Sequence, residues 1–192
     1  FCDKYPLVEL ELEVDNRTQS LSKREADIAI RFTNRPPEHL VGRKLGRNEF
    51  ALYASRERIA AQEDPTDLFA YPWVSWGEAA NIRMVESFLA ESAPGVRPAI
   101  RVHSVLGMCS ALRAGMGISF LGCLWGDRTP ELRRVGDVQP GLGIDLWLLT
   151  HPDLRQTARI RAFISHFTEA FRPYIETMSG AQPMYEPLIP EG

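Results

Sequence analysis

The strongest constraint on this chain is the order of its short apolar runs, which alternate with helical patterns and stop at charges or glycines. Val8, Leu10, Leu12 and Val14 alternate with Glu9, Glu11 and Glu13, the period of a strand with one buried and one acidic face. Leu21 to Ala26 reads as a short helix leading into Asp27-Ile28-Ala29-Ile30-Arg31, whose continuous apolar centre predicts a strand covered on both sides. Strand, helix and strand at this spacing imply a right-handed parallel crossover. Leu40 to Leu45 and Glu49 to Ala54 are two further extended stretches on either side of Gly46.

The same syntax then repeats. Pro72 to Trp76 reads as a short strand, and Ile82, Val85, Phe88 and Leu89 mark one helix face. Ala99 to His103 reads as a strand, after which Ser104 is placed to cap a helix carrying Val105, Met108, Cys109 and Leu112. Ile118 to Leu121, Leu132 to Val135 and Ile144 to Thr150 read as strands. Ile160, Phe163, Ile164, Phe167 and Phe171 give one apolar face to a helix from Thr157 to Phe171. The class is α/β, and 192 residues are enough for two small lobes. Positions 176–192 lack periodic apolar content and are expected to form a flexible tail.

Composition excludes several classes. Apolar residues at 44% and charged residues at 24% are ordinary for a folded domain, and no apolar run approaches the roughly 20 residues needed to span a bilayer. A net charge of -3 with scattered Lys and Arg leaves no basic stripe for phosphates, so this segment is not expected to touch DNA itself. Cys2, Cys109 and Cys123 form no C-x-x-C pair, and their odd count fits a reduced, cytoplasmic protein. His39, His103, His151 and His166 show no metal-ligand spacing. The chain has no G-x-S-x-G elbow, P-loop or G-x-G-x-x-G turn, so neither a catalytic residue nor a metal or cofactor is expected.

In open α/β sheets, ligands collect outside the carboxyl ends of the strands, where helix starts offer free N–H groups. That rule selects Asp15, Asn16, Arg31, Phe32, Ser75, Trp76, Gly77, Ser104, Val105 and Leu121. Ser104 either caps its own helix or shares the amides of Val105 and Leu106 with an anion. Arg31 either grips a carboxylate or pairs with Glu25 or Asp27. Trp76 and Phe32 would supply apolar walls. A small carboxylate or aromatic acid is the ligand these residue types suit.

The ordered set Phe1 to Pro6, Asp27 to Arg31, Leu40 to Leu45, Leu52-Tyr53-Ala54-Ser55, Tyr71-Pro72-Trp73-Val74, Val105 to Gly117 and Leu146 to Arg155 resembles the effector-binding domain of LysR-type transcription regulators. The resemblance implies a type 2 periplasmic-binding-protein fold of two α/β lobes. Lobe one would be 1–52 with 148–175 and lobe two 53–147, joined by crossing strands near Phe50 to Ala54 and Asp145 to Thr150, with a small-molecule effector between them. It also implies a homodimer or higher oligomer that meets DNA only through an N-terminal helix-turn-helix. That element, a linker helix and the first strand and helix of lobe one would precede Phe1, so the chain is expected to be a fragment. Gly122 stands where the family usually has proline. A transporter's solute-binding protein or an enzyme on the same fold are the alternatives. The first would need a signal peptide or lipid anchor, and the second a convergent acid-base pair.

Overall fold

The computed structural model of the chain describes residues 1–14, 26–77, 83–92 and 94–181. Their elements run β1 (Ile28–Phe32), β2 (Val41–Asn48), β3 (Phe50–Ser55), α1 (Arg56–Ala60), β4 (Val74–Trp76), α2 (Met84–Ser92), β5 (Ile100–Val102), α3 (Val105–Arg113), β6 (Ser119–Gly122), α4 (Cys123–Gly126), β7 (Leu132–Val138), β8 (Ile144–Thr150), α5 (Ala158–Phe171) and α6 (Ile175–Met178). They divide into two compact units. The first holds Phe1–Arg47 and Ile144–Ile175, and the second holds Asn48–Gly143 and the segment starting at Glu176. β3 belongs wholly to the second unit and β8 wholly to the first, so the chain changes unit at 47–48, 143–144 and 175–176.

The first unit is built on a three-stranded sheet ordered β1-β8-β2. β1 and β8 pair antiparallel, from Ile28 opposite Thr150 to Phe32 opposite Leu146. Leu40 and Leu149 are buried together, with Ala29 and Trp147 packed against them. In α5, Ile160 is buried, while Phe163, Phe167 and Phe171 stack successively at 5.9 and 5.6 Å between ring centres. Positions four apart lie one above the other on a helix, so the aromatic spacing makes a ladder, and Phe1 sets its ring edge-on to Phe163 at 5.2 Å.

At the root of β8, Asp145 gathers the neighbouring strands. Its carboxylate meets Lys44 Nζ at 2.7 Å and Arg47 Nη1 at 3.2 Å, and its N–H donates to Asn34 Oδ1 at 3.0 Å. Burial alone would raise this carboxyl, but the hydrogen bonds from Lys44 and Arg47 outweigh it and hold it below its ordinary range. A carboxyl whose folded pKa is depressed contributes stability above its unfolded pKa and loses it as pH falls through the folded value. The stability gap between wild type and Asp145→Asn is therefore expected at neutral pH and should close below about pH 4, as measured by urea unfolding across pH. A gap that persists unchanged in acid would refute the ion-pair account.

Two expectations fail in this unit. Residues 8–14 pair with no strand, and Leu12 and Val14 are 75% and 91% exposed. Alternation prepares one face for burial, but a strand also needs a neighbour's N–H and C=O groups, and none is provided among the described residues. The expected crossover therefore has no first strand there, and Leu21 to Glu25 of its helix lie outside the described residues. β1 is not covered on both sides either. Among the described residues it ends the sheet order with β8 as its one neighbour, and Ile30 and Phe32 lie partly in solvent.

The second unit has its core around β3, all six residues of which are buried. β3 lies between β6 and β7, antiparallel to both. β4 and β5 form a parallel pair, from Val74 opposite Ile100 to Trp76 opposite Val102, and a parallel bridge joins Trp73 to Ile118. Trp73, Phe88 and Phe120 pack with ring centres 5.1 to 6.3 Å apart. Gly122 is required by close approach, because a Cβ there would stand 2.1 Å from Asn48 Nδ2. Asn48 Oδ1 accepts from Leu124 N at 3.1 Å and so caps the turn into α4. Contrary to the expected tail, residues 176–181 dock on this unit. Met178 is fully buried, and its carbonyl accepts from Glu49 N at 2.9 Å.

A candidate anion site at the start of α3

The parallel pair β4 and β5 aims two strand ends in one direction, and α3 begins where β5 stops. Gly77 N donates to Val102 O at 2.6 Å, extending the pairing one residue past β4. His103 then lies directly over Gly77, where an added Cβ would be 2.1 Å from the imidazole. A side chain at position 77 would displace that ring. His103 is exposed, and Ser104 follows it in extended conformation at the N-cap of α3.

Ser104 Oγ accepts from Gly107 N at 3.0 Å, and its carbonyl accepts from Met108 N at 2.9 Å. The cap therefore serves its own helix. That leaves the N–H groups of Val105 and Leu106 without an intrahelical acceptor, as the first turn of a helix must, and Leu106 is 67% exposed. A helix start carries partial positive charge, so the free amides at this point suit a carboxylate or phosphate oxygen.

The other selected positions divide sharply. Ser75 is fully buried and donates its hydroxyl to Glu86 Oε1, which also takes Arg101 Nη1 at 2.7 Å. Burial would raise the Glu86 carboxyl, but Ser75 and Arg101 outweigh it and hold it below the usual carboxylate range. Trp76 is buried, with its indole N–H donating to Phe120 O at 3.2 Å, and Leu121 is fully buried in β6. These three face the interior. In the first unit, Arg31 is half-buried opposite Trp147 and has no ion-pair partner among the described residues, whereas Asp27 pairs with Arg159 at 3.4 Å. Phe32 is partly exposed at the end of β1. Asp15 and Asn16 lie outside the described residues.

Strand-end reasoning did not select His103, which stands directly before the capping serine. Among the described residues, no group of three or more His, Cys, Asp or Glu could hold a metal ion, and no helix is long and apolar enough to cross a membrane.

Comparison with known proteins places these features in a lineage. Residues 1–172 match the model of the LysR substrate binding domain. Among solved structures, the regulatory domain of CrgA, a LysR-type transcriptional regulator from Neisseria meningitidis, is similar at 20% identity and a TM-score of 0.73, covering 88% of this chain and 87% of that one. The effector domain of AmpR from Pseudomonas aeruginosa gives 20% identity and 0.70, covering 94% and 88%. The CcmR regulatory domain of Synechocystis PCC6803, solved in complex with 2-PG, gives 21% identity and 0.65, covering 88% and 86%. No curated protein matches the sequence. With nine-tenths of its length matched, the chain belongs to the LysR substrate-binding-domain family and is the effector-binding domain of a LysR-type transcription regulator.

Proposed function

We propose that this domain recognises a small organic anion at the start of α3, with the amides of Val105 and Leu106 taking an acidic oxygen and His103 beside them. The observation that carries the reading is the first turn of α3, with Leu106 exposed, directly after His103, whose exposed imidazole lies over Gly77. Arg31, with no ion pair among the described residues, is a second candidate for an acidic group. On this reading the domain is a sensor that binds the anion and leaves it chemically unchanged. It acts in the cytoplasm as a homodimer, passing occupancy to a helix-turn-helix region of the full-length protein as a population shift between conformers.

The test is thermal unfolding against small carboxylates and phosphates, with 2-PG, the ligand named for CcmR, among them. At about 100 times its dissociation constant, a specific ligand stabilises the native state by about 2.7 kcal/mol, raising the midpoint by a few degrees. Val105→Pro deletes one of the two amides at the first helical position, where proline is tolerated after the extended Ser104. It should abolish the shift while leaving the ligand-free midpoint near wild type. A compound that stabilises both proteins equally would move the site away from α3.

A further inference from the structure

Residues 176–181 lie past the stretch that the family model matches, yet they complete the surface of the second unit. Their hold is narrow. Of the six, only Met178 and Gly180 are buried, while Glu176, Ser179 and Ala181 are exposed. Among the described residues, two main-chain oxygens tie them down: Met178 O accepts from Glu49 N at 2.9 Å, and Gly180 O accepts from Arg134 Nη1 at 3.0 Å. Gly180 has φ of 77°, and a Cβ there would lie 2.6 Å from Val138 Cγ2 and 3.3 Å from Cys123 Sγ. The peptide at Gly180 is thus laid directly on a cysteine thiol that is fully buried.

The ground beneath does not depend on this cover. Arg134 is neutralised by Asp127, to which it donates from Nε and Nη2, and Tyr53 OH donates to the same carboxylate at 2.8 Å. Lifting the segment removes one acceptor from Arg134 and leaves the ion pair closed. A segment with one buried side chain and two main-chain bonds, laid over a sheet whose central strand is wholly buried, is the kind of element that opens locally.

We propose that residues 176–181 form a releasable strap that closes one face of the second unit over Cys123 and opens without unfolding the rest of that unit. When it opens, Cys123 and the edge of the Tyr53, Asp127 and Arg134 cluster become reachable from solvent. The occupant of this face is the chain's own segment. The strap is a local equilibrium.

The three cysteines read it out directly, since Cys2 is exposed, Cys109 half-buried and Cys123 buried. The whole chain is treated with N-ethylmaleimide under native conditions, and the rate at each site is followed by peptide mass spectrometry. In wild type, Cys123 should label last. Gly180→Val, which meets both the left-handed backbone and the Val138 contact, and Met178→Ser, which removes the buried anchor without a clash, should each raise the Cys123 rate by about tenfold or more. Cys109 should stay within about twofold. An unchanged Cys123 rate in both variants overturns the strap as a cover. A parallel rise at Cys109 and Cys123 overturns local release, because the unit then opens as a whole.

Discussion

Asp127→Ala is expected to cost about 3 to 5 kcal/mol, enough to leave the second unit largely unfolded at moderate temperature. The carboxylate is buried and engages three donors: Nε and Nη2 of Arg134 and the Tyr53 hydroxyl. Burial disfavours the Arg134 charge, but the Asp127 hydrogen bonds outweigh it and hold the guanidinium above its ordinary range. Deleting the acid strands a cation in a site lined by Tyr53 and Cys123. Burial has already raised the Tyr53 hydroxyl well above its usual range and pushed the Cys123 thiol up to about 11, so neither neighbour supplies a negative charge at neutral pH. The measurement is urea unfolding followed by fluorescence, to which Trp73, Trp76 and Trp125 report from this unit. Adding Arg134→Met to Asp127→Ala should recover much of the loss, because the orphaned charge causes most of it. A double variant no more stable than the single one would mean that the cluster matters through shape and not charge.

That cluster shows why part of the molecule was legible in the sequence and part was not. From Ile28 onward most strands and the α3 and α5 helices fall close to where periodicity put them, because most have a run of apolar residues at one spacing and a visible stop; β2, with few apolar residues, instead runs through Gly46, expected as a break, to Asn48. Ser104 was readable as a cap since it stands directly before an apolar helical pattern. Asp127, in the stretch Asp127-Arg128-Thr129-Pro130, reads as an ordinary polar turn. Its burial depends on Tyr53, 74 positions earlier, and Arg134, which no local pattern connects to it. The strand-end rule selected Ser75 and Trp76 in β4 and Leu121 in β6 but said nothing of side-chain direction, and all three point inward. His103 went unread for the complementary reason: the rule selects strand ends and helix caps, and the residue between them was passed over. Residues 176–181 looked like a tail because one Met and one Gly carry the contact, too few positions to make a period.

Trp73→Ala should be comparably severe, at about 3 to 5 kcal/mol, through cavity and not charge. Trp73 is 1% exposed, its ring packs with Phe88 and Phe120 at 5.6 and 6.3 Å, and its indole N–H donates to Leu68 O at 3.0 Å. Its main chain does separate work. Trp73 O accepts from Ala99 N at 2.9 Å, and the residue bridges to Ile118, so the strand itself survives truncation while its side-chain volume is lost. Phe88 and Phe120, with ring centres 5.1 Å apart, hold each other in place and cannot both collapse into the space. Trp73→Phe separates the contributions. It keeps most of the aromatic packing but leaves Leu68 O without its donor, so it should cost only about 1 to 3 kcal/mol. The two variants should differ most in unfolding midpoint, with equal denaturant dependence if the native state stays compact in both. If Trp73→Phe proved as damaging as Trp73→Ala, the hydrogen bond to Leu68 and the 68–70 turn would be the true support of β4, and the aromatic cluster would be its consequence.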